Sequence, residues 1–161
     1  MMVKAVRVML EPNNVQQTKM FQYAGAARFA YNWALAKEKD SYEKGGKFIS
    51  DSELRKEFTR LRNSAEYAWL QNVSNNVTKQ AIKDACIAYK NFFNSLQKYP
   101  RFKSKKKSTP KFYQDNIKIQ FSDTHVKFEG FSSSRKANKQ KLNWVRLAEH
   151  GRIPTDAKYM N

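Results

Sequence analysis

The spacing of the apolar residues changes twice along this sequence and divides it into three parts. Within residues 3–10, Val6, Val8 and Leu10 alternate with Arg7 and Met9, which is typical of a strand with one buried face. In the central part the spacing is three and four, which is typical of amphipathic helices. In the C-terminal part it returns to two. The pattern predicts an α+β protein in which a helical insert interrupts a β part.

The N-terminal strand needs partners from the C-terminal part, because a lone strand leaves its backbone donors without acceptors. The first of three predicted helices then follows. Asn13 and Gln16 have the spacing of a capping pair at its start. This helix runs to about Lys44, and Gly45-Gly46 stops it because glycine readily adopts the left-handed backbone that ends helices.

The second and third helices also have recognisable starts. Ser50 and Glu53 form a capping box for the second helix, and the third begins near Asn75 or Asn76, after Ser74. The third helix is apolar over a broad arc, which indicates a central position in a small three-helix bundle.

The alternating apolar residues of the C-terminal part predict short strands. Residues 117–121 alternate between apolar and polar, and Val126 with Phe128 indicates a hairpin partner. Trp144, Val145 and Leu147 indicate one more strand.

The positive charge is clustered in two stretches. The formal net charge is +17, and residues 98–111 and 132–146 contain seven and five basic residues and no acidic one. A charge of this size indicates a polyanionic partner, and clustering favours a surface that tracks phosphates over an evenly solvated one. A membrane partner is not expected, because no long apolar run is present. The predicted phosphate-contacting residues are Lys98, Arg101, Lys103, Lys105, Lys106, Lys107, Lys111, Arg135, Lys136, Lys139, Lys141 and Arg146.

Aromatic residues are interleaved with the first basic stretch. Tyr99, Phe102, Phe112 and Tyr113 could stack on bases or could anchor the stretch in the core. The core interpretation is favoured for the two phenylalanines, and both interpretations stay open for the two tyrosines.

The start of the third helix offers two interpretations. Its polar residues include Asn75, Asn76, Lys79 and Gln80. A helix N-terminus attracts phosphate, and Asn or Gln can read adenine in the major groove. Ordinary capping by Ser74 or Asn75 explains the same composition.

Signals of catalysis are missing from the sequence. The five glycines form no phosphate-binding loop, and the acidic residues, Glu38 among them, are predicted to lie on helix surfaces beside lysines. Cys86 is expected in the core, and a single cysteine is typical of a reducing, intracellular compartment. We therefore expect no catalytic or metal site, no cofactor and no small-molecule substrate.

Several runs together resemble the transposon-encoded TnpB (OrfB) proteins. The matching segments follow one another in order and cover nearly the whole chain. They are residues 10–16 (LEPNNVQ), 25–35 (GAARFAYNWAL), 88–93 (AYKNFF), 99–105 (YPRFKSK), 143–147 (NWVRL) and 151–154 (GRIP).

The resemblance implies the nucleic-acid-binding half of an RNA-guided DNA endonuclease, related to compact type V CRISPR nucleases. Its fold would be a small, incomplete wedge-type β-barrel interrupted by a three-helix recognition bundle. The implied partners are guide RNA and double-stranded target DNA, and the implied location is the cytoplasm, at the nucleoid. The implied boundaries are residues 1–12 for the first wedge strand, 13–98 for a helix-turn-helix-like recognition domain, 99–111 for a basic linker and 112–161 for the remaining wedge strands.

The resemblance also implies where a short target-adjacent DNA motif is read, the guide reading the rest of the target. The family's motif-reading positions fall near Ser50, Asn75, Lys79 and Gln80, with further ones near Tyr113 and Gln114, and we add Asn76 from the same helix start.

The family's nuclease half, with its carboxylate triad and zinc ribbon, is not expected in this sequence, which is therefore interpreted as truncated. Two alternatives stay open. One is a dimeric helix-turn-helix repressor that acts alone. The other is a structural piece that works only with a separate nuclease chain.

Overall fold

The computed structural model describes residues 3–115, 117, 119–132 and 141–154. The chain divides into two compact units: a helical unit, Phe21–Tyr113, and a β unit, which comprises the described residues of Met1–Met20 and Gln114–Asn161. The helices are α1 (Asn14–Glu43), α2 (Asp51–Arg62) and α3 (Asn75–Phe93), with a short 3-10 helix at Ala68–Asn72. The strands are β1 (Leu10–Glu11), β2 (Gln120–Phe121), β3 (His125–Lys127) and β4 (Trp144–Leu147).

Helix α1 starts in the β unit with the predicted capping pair. The Gln16 backbone N–H donates to Asn13 Oδ1 at 2.9 Å, and the Asn13 N–H donates to Gln16 Oε1 at 3.0 Å. The same Gln16 side chain uses its amide nitrogen to donate to the carbonyls of Leu142 and Trp144, at 3.0 and 2.8 Å. One buried glutamine therefore caps the helix and also satisfies carbonyls at the start of β4.

The end of α1 is also as predicted. Gly45 has φ +68°, the left-handed conformation that favours glycine. A Cβ on Gly46 would lie 2.6 Å from Ser41 Oγ, so the chain passes too close to the helix for a larger residue.

The core of the helical unit lies where α1, α2 and α3 meet. Helix α1 contributes small residues, Ala26, Ala30 and Ala34, which are fully buried and let neighbouring segments approach closely. The larger fully buried side chains are Tyr23, Leu35, Leu54, Leu70, Ile82 and Tyr89. The predicted broad apolar face of α3 is confirmed, since Val77, Ala81, Ile82, Ala85, Cys86 and Tyr89 are all buried.

The β unit contains a four-stranded antiparallel sheet in the order β1-β4-β3-β2. The predicted pairing of the N-terminal strand with the C-terminal part is confirmed by the registers Leu10↔Leu147 and Glu11↔Arg146. Val126, Phe128, Phe131, Val145 and Leu147 form its buried face. Within the described residues the sheet is open, so the α+β class is confirmed and a barrel is not formed by these residues.

The predicted strand over residues 3–10 is mostly wrong. Only Leu10–Glu11 forms a strand, with one further bond from the Ala148 N–H to the Met9 carbonyl at 2.9 Å, and the Val3, Val6 and Met9 side chains are exposed. The physical reason is the length of its partner: β4 ends at Leu147, and the chain then turns at Gly151, with φ +68°. Of the predicted strand over residues 117–121, residue 118 lies outside the described residues, and among the others only Gln120–Phe121 forms a strand. None of the helices in the described part combines the length and hydropathy needed to cross a membrane.

Candidate nucleic-acid interface

The first basic stretch, residues 98–111, lies entirely in the helical unit and is called the basic segment below. Six of its seven cationic side chains are exposed, and only Lys103 is half-buried. None of the seven forms an ion pair with a carboxylate within the described part of the chain. The six exposed residues, available to phosphate, are Lys98, Arg101, Lys105, Lys106, Lys107 and Lys111.

Asn32 on α1 fixes the backbone of the basic segment. Its amide nitrogen donates to the Lys103 carbonyl at 2.8 Å, and its amide oxygen accepts the Lys103 N–H, also at 2.8 Å. The Lys103 ammonium lies 3.8 Å from the centre of the Tyr31 ring, a cation–π distance. Burial, followed by the nearby charge of Lys111, lowers the pKa of Lys103. Asn32 belongs to one of the family-like runs, yet its role became visible only in the structure.

A tight turn holds the three consecutive lysines outward. The Lys107 N–H donates to Ser104 Oγ at 3.1 Å, and the Ser108 N–H donates to the Ser104 carbonyl at 2.9 Å. Lys105 and Lys106 therefore lie at the tip of a hydrogen-bonded turn.

A cavity of about 520 Å³ lies between α1, α3 and the basic segment. Small side chains on the two helices leave the space, and Arg28, Lys103 and Lys111 make its wall basic. Asp84 is the one acidic residue among the lining residues. The cavity is lined by Ala24, Ala27, Arg28, Val77, Ala81, Asp84, Lys103 and residues 108–113.

The start of α3 forms one border of this region. The Ser74 hydroxyl accepts the Asn76 N–H at 3.3 Å, so ordinary capping by Ser74 is present. Asn75 and Lys79 are exposed. Gln80 is half-buried, and its amide nitrogen donates to Asp84 Oδ1 at 2.9 Å, which orients both side chains along the helix.

The Ser50 side chain is already engaged in the capping box of α2. Its hydroxyl donates to Glu53 Oε2 at 2.9 Å and accepts the Glu53 N–H at 3.3 Å. The hydroxyl bond and a second one from the Ser50 N–H to Oε2, at 3.1 Å, lower the pKa of Glu53. A base contact from this hydroxyl would therefore compete with helix capping.

Gln114, the first residue of the second segment of the β unit, has an unusual environment. Its side chain is 9% exposed, and neither the amide oxygen nor the amide nitrogen has a hydrogen-bond partner in the described structure. An unsatisfied buried polar group costs about 1–3 kcal/mol. Such a group is normally explained by a ligand, an ion or a water that completes it. The preceding residue, Tyr113, lines the cavity of the helical unit.

The second basic stretch belongs to the β unit and is only partly described. Arg135, Lys136 and Lys139 lie outside the described residues. Lys141 is exposed. Arg146 is exposed on β4, and its Nε lies 3.4 Å from the Glu11 carboxylate on the neighbouring strand, so it already has an anionic partner.

The four interleaved aromatic residues differ in their environments. Phe112 is half-buried and packs edge-on against Tyr23, with ring centres 5.4 Å apart, as the core interpretation predicts. Phe102 is 52% exposed, so the core interpretation is wrong for this residue. Tyr99 is partly exposed, and its hydroxyl hydrogen-bonds that of Tyr89 at 2.9 Å.

Glu38 is not on the helix surface, which corrects the prediction. It is 2% exposed, accepts the Ile49 N–H at 3.2 Å and receives a weak bond from the Cys86 thiol at 3.8 Å. Burial raises the pKa of this carboxyl and raises that of Cys86 to about 12. Across the described ranges, the His, Cys, Asp and Glu side chains form no group of three or more that could hold a metal ion.

Comparison with known proteins gives one family model and three relatives. Residues 1–47 match the model of the OrfB IS605 helix-turn-helix domain. Over 89% of its length the chain is 28% identical to InsQ of Escherichia coli K12, a protein named as an RNA-guided DNA endonuclease, of which it covers 36%. Over 65% of its length it is 30% identical to a Streptomyces pristinaespiralis protein with the same activity in its name, of which it covers 26%.

The third relative is a much shorter protein. The chain is 28% identical, over 65% of its length, to virulence protein VsdF of Salmonella dublin, and it covers 95% of that protein. The chain thus spans about a third and about a quarter of the two endonuclease relatives but nearly all of VsdF. The N-terminal 47 residues are thus similar to an OrfB IS605 helix-turn-helix domain, and most of the chain is similar in sequence to proteins named as RNA-guided DNA endonucleases.

Proposed function

We propose that this chain binds duplex DNA carrying a short motif, together with a guide RNA, and that it does not itself cleave. The observation that carries the proposal is the basic segment. Its six exposed cations have no carboxylate partner among the described residues, Asn32 fixes its backbone, and Lys103 and Lys111 line the basic cavity. Proteins that neutralise phosphates in this way release condensed counterions, so their affinity falls steeply with salt. The endonuclease names of the relatives supply the expected ligands, DNA and RNA.

Within this proposal, phosphate contacts and base contacts belong to different residues. Residues of the basic segment position the nucleic acid, together with Arg135, Lys136, Lys139, Lys141 and Arg146. Asn75, Asn76, Lys79 and Gln80 at the start of α3 read the motif, with contributions from Ser50, Tyr113 and Gln114. The environment of Gln114 supports its role, because a base edge would satisfy an amide that otherwise has no partner.

The finer domain assignment is part of the same proposal. The helical unit corresponds to the recognition domain, and the open sheet of the β unit to part of a wedge-type barrel. A nuclease half, on the same or a separate chain, would supply the catalytic groups.

The salt dependence of DNA binding tests the proposal. Lys105→Ala/Lys106→Ala/Lys107→Ala removes the cations at the tip of the turn. Because each lost phosphate contact lowers the slope of log K against log [salt] by about 0.9 for duplex DNA, the slope should become shallower by about 2–3. The matched control is Lys4→Ala/Lys56→Ala/Lys83→Ala, which removes the same charge from exposed lysines elsewhere. Equal slopes for the two triple variants would contradict the proposed site.

A repressor that acts alone is the second candidate, and the family match at residues 1–47 is the observation in its favour. The described residues of that range contain one α-helix, α1, preceded by β1, so a complete helix-turn-helix would need residues beyond the match. A repressor of this kind dimerises and binds a palindromic site. Sedimentation of the protein with duplex DNA tests this, because a monomer at saturation excludes the dimeric repressor.

A further inference from the structure

Five aromatic rings gather where the C-terminal ends of α1 and α3 meet in the helical unit. Tyr42 lies in the last turn of α1 and Phe48 follows it, while Phe92 and Phe93 end α3 and Tyr99 follows that helix. These five residues are called the aromatic surface. Neighbouring ring centres lie 5.6 Å apart for Tyr42 and Phe93, and 5.1 Å apart for Phe92 and Tyr99.

The side chains of the aromatic surface are more exposed to solvent than is usual for large apolar residues. Tyr42 is 47%, Phe93 46% and Tyr99 37% exposed, and Leu96, which lies between the last two in sequence, is 72% exposed. Tyr89 beneath them is fully buried and contacts Phe92, Phe93 and Tyr99, so the exposed rings rest on a rigid base. Clustered exposed apolar groups of this kind mark interaction sites more often than isolated ones do.

Three cations lie next to members of the aromatic surface, one of them in space and two in sequence. The Lys90 ammonium lies 5.3 Å from the centre of the Phe48 ring. Lys98 and Arg101 flank Tyr99 in the sequence and are exposed without carboxylate partners in the described part of the molecule.

The nearby acids on α1 are already neutralised by ion pairs. Asp40 pairs with Lys44 at 2.8 Å, and Glu43 pairs with Lys39 at 3.8 Å. The border of the aromatic surface is therefore positively charged, and it runs directly into the basic segment at Lys98.

We propose that the aromatic surface binds unpaired RNA, with bases stacked on Tyr42, Phe93 and Tyr99 and phosphates held by Lys90, Lys98 and Arg101. This inference rests on the proposed function and assigns its RNA ligand to a surface. Single-stranded nucleic acid is recognised by this combination of aromatic faces and backbone-tracking cations, because every base has a face that can stack.

Duplex DNA cannot use the aromatic rings, since its bases are stacked inside the helix. RNA loops and ends supply splayed, unpaired bases. An apolar protein segment would cover the rings but would leave the surrounding cations without partners. The charge therefore favours RNA over a protein partner or a second copy of this chain.

The test separates stacking from simple burial of apolar area. Tyr42→Leu/Phe93→Leu keeps apolar side chains but removes two rings. The probe is a single-stranded oligouridine RNA with one 2-aminopurine, whose fluorescence is quenched on stacking. We expect the double variant to bind this RNA about 10-fold or more weaker and to lose the quenching, because stacking on aromatic rings supplies much of the affinity for single-stranded nucleic acid. Its affinity for duplex DNA should be unchanged.

Two controls make the result specific. Phe21→Leu/Trp69→Leu changes two equally exposed aromatic residues elsewhere in the helical unit and should bind RNA as the wild type does. Phe93→Trp keeps a stacking face and should preserve the quenching. Thermal unfolding of each variant checks that the helical unit is intact, and if the double variant unfolds, Phe93→Leu alone is compared with Phe93→Trp.

The outcomes distinguish this inference from the proposed function. Unchanged RNA affinity in the double variant, with DNA binding still weakened by Lys105→Ala/Lys106→Ala/Lys107→Ala, would overturn the inference and leave the proposed function intact. RNA binding lost in the double variant, with no effect of the lysine triple variant on DNA, would support the surface and contradict the proposed DNA site. Self-association that the double variant abolishes without any change in RNA binding would assign the surface to a protein interface and overturn the inference.

Discussion

The amide of Asn32 holds the backbone of Lys103 through two hydrogen bonds of 2.8 Å, although 71 residues separate them in sequence. The Asn32 side chain thus pairs with both the N–H and the carbonyl of Lys103, as a neighbouring β-strand would, although the segment around Lys103 has no regular secondary structure. It also places the Lys103 ammonium over the Tyr31 ring, at the wall of the basic cavity. The position of Lys103 within the basic segment therefore depends on one residue of α1.

Replacing Asn32 with Ala should loosen the basic segment. The Lys103 N–H and carbonyl would both lose their partner, which costs about 1–3 kcal/mol of unfolding free energy where the groups stay shielded from water. Urea unfolding measures the stability, and amide hydrogen exchange of residues 98–111 measures the local loosening. Asn14→Ala, an exposed asparagine at the start of the same helix, is the control and should leave exchange in the segment unchanged. A destabilised Asn32→Ala protein whose segment exchanges as slowly as the wild type would contradict this role.

Replacing Gln114 with Leu should stabilise the free protein and weaken DNA binding. The leucine removes a buried amide that has no partner, so the free energy of unfolding should rise by about 1–3 kcal/mol. If the amide meets a base edge when DNA is bound, the same change removes that contact and lowers affinity for the motif. Thermal unfolding with and without duplex DNA measures both effects. An unchanged melting temperature for the free variant would argue that the amide is satisfied in solution.

Replacing Glu38 with Gln should make stability less dependent on pH. Burial raises the pKa of Glu38 in the folded state above its ordinary value of 4.5, so the folded protein binds this proton more tightly than the unfolded chain does. The wild type then gains most from this group below pH 4.5 and loses that gain as pH rises towards the folded pKa. The glutamine oxygen still accepts the Ile49 N–H, but the side chain does not titrate.

Urea unfolding at a series of pH values measures this effect. Glu38→Gln should be more stable relative to the wild type at pH 7 than at pH 4. Glu43→Gln, an exposed neighbour on the same helix, is the control. A stability difference between Glu38→Gln and wild type that stays constant across this pH range would show that Glu38 does not titrate as its burial requires.

Features set by neighbours in sequence were predictable. The capping pairs Asn13–Gln16 and Ser50–Glu53 each span three residues, and the structure forms both. The stop at Gly45 is equally local. Because the helix ends were right, the order of one strand, three helices and a C-terminal group of strands was right as well.

Features set by distant residues were not predictable in the same way. Glu38 looks like a surface acid beside lysines, and only Ile49 and Cys86 reveal that it is buried. Residues 3–9 have the alternation of a strand, yet the length of β4 decides how much of it can pair. In the candidate site, the charge of the basic segment was readable from composition. The cavity beside it and the anchoring by Asn32 depend on contacts across the fold.

Gln16 bonds both to the start of α1 and to the start of β4, and these two sets of bonds cannot form at the same time during synthesis of the chain. This side chain caps α1 but donates to carbonyls that lie 126 and 128 residues further along the chain. At translation rates of about 5–20 residues per second, those acceptors are made roughly 6–25 s after Gln16 itself. Until then the Gln16 amide nitrogen lacks these acceptors and β1 lacks its partner strand β4, whereas the helical unit already has all of its own chain.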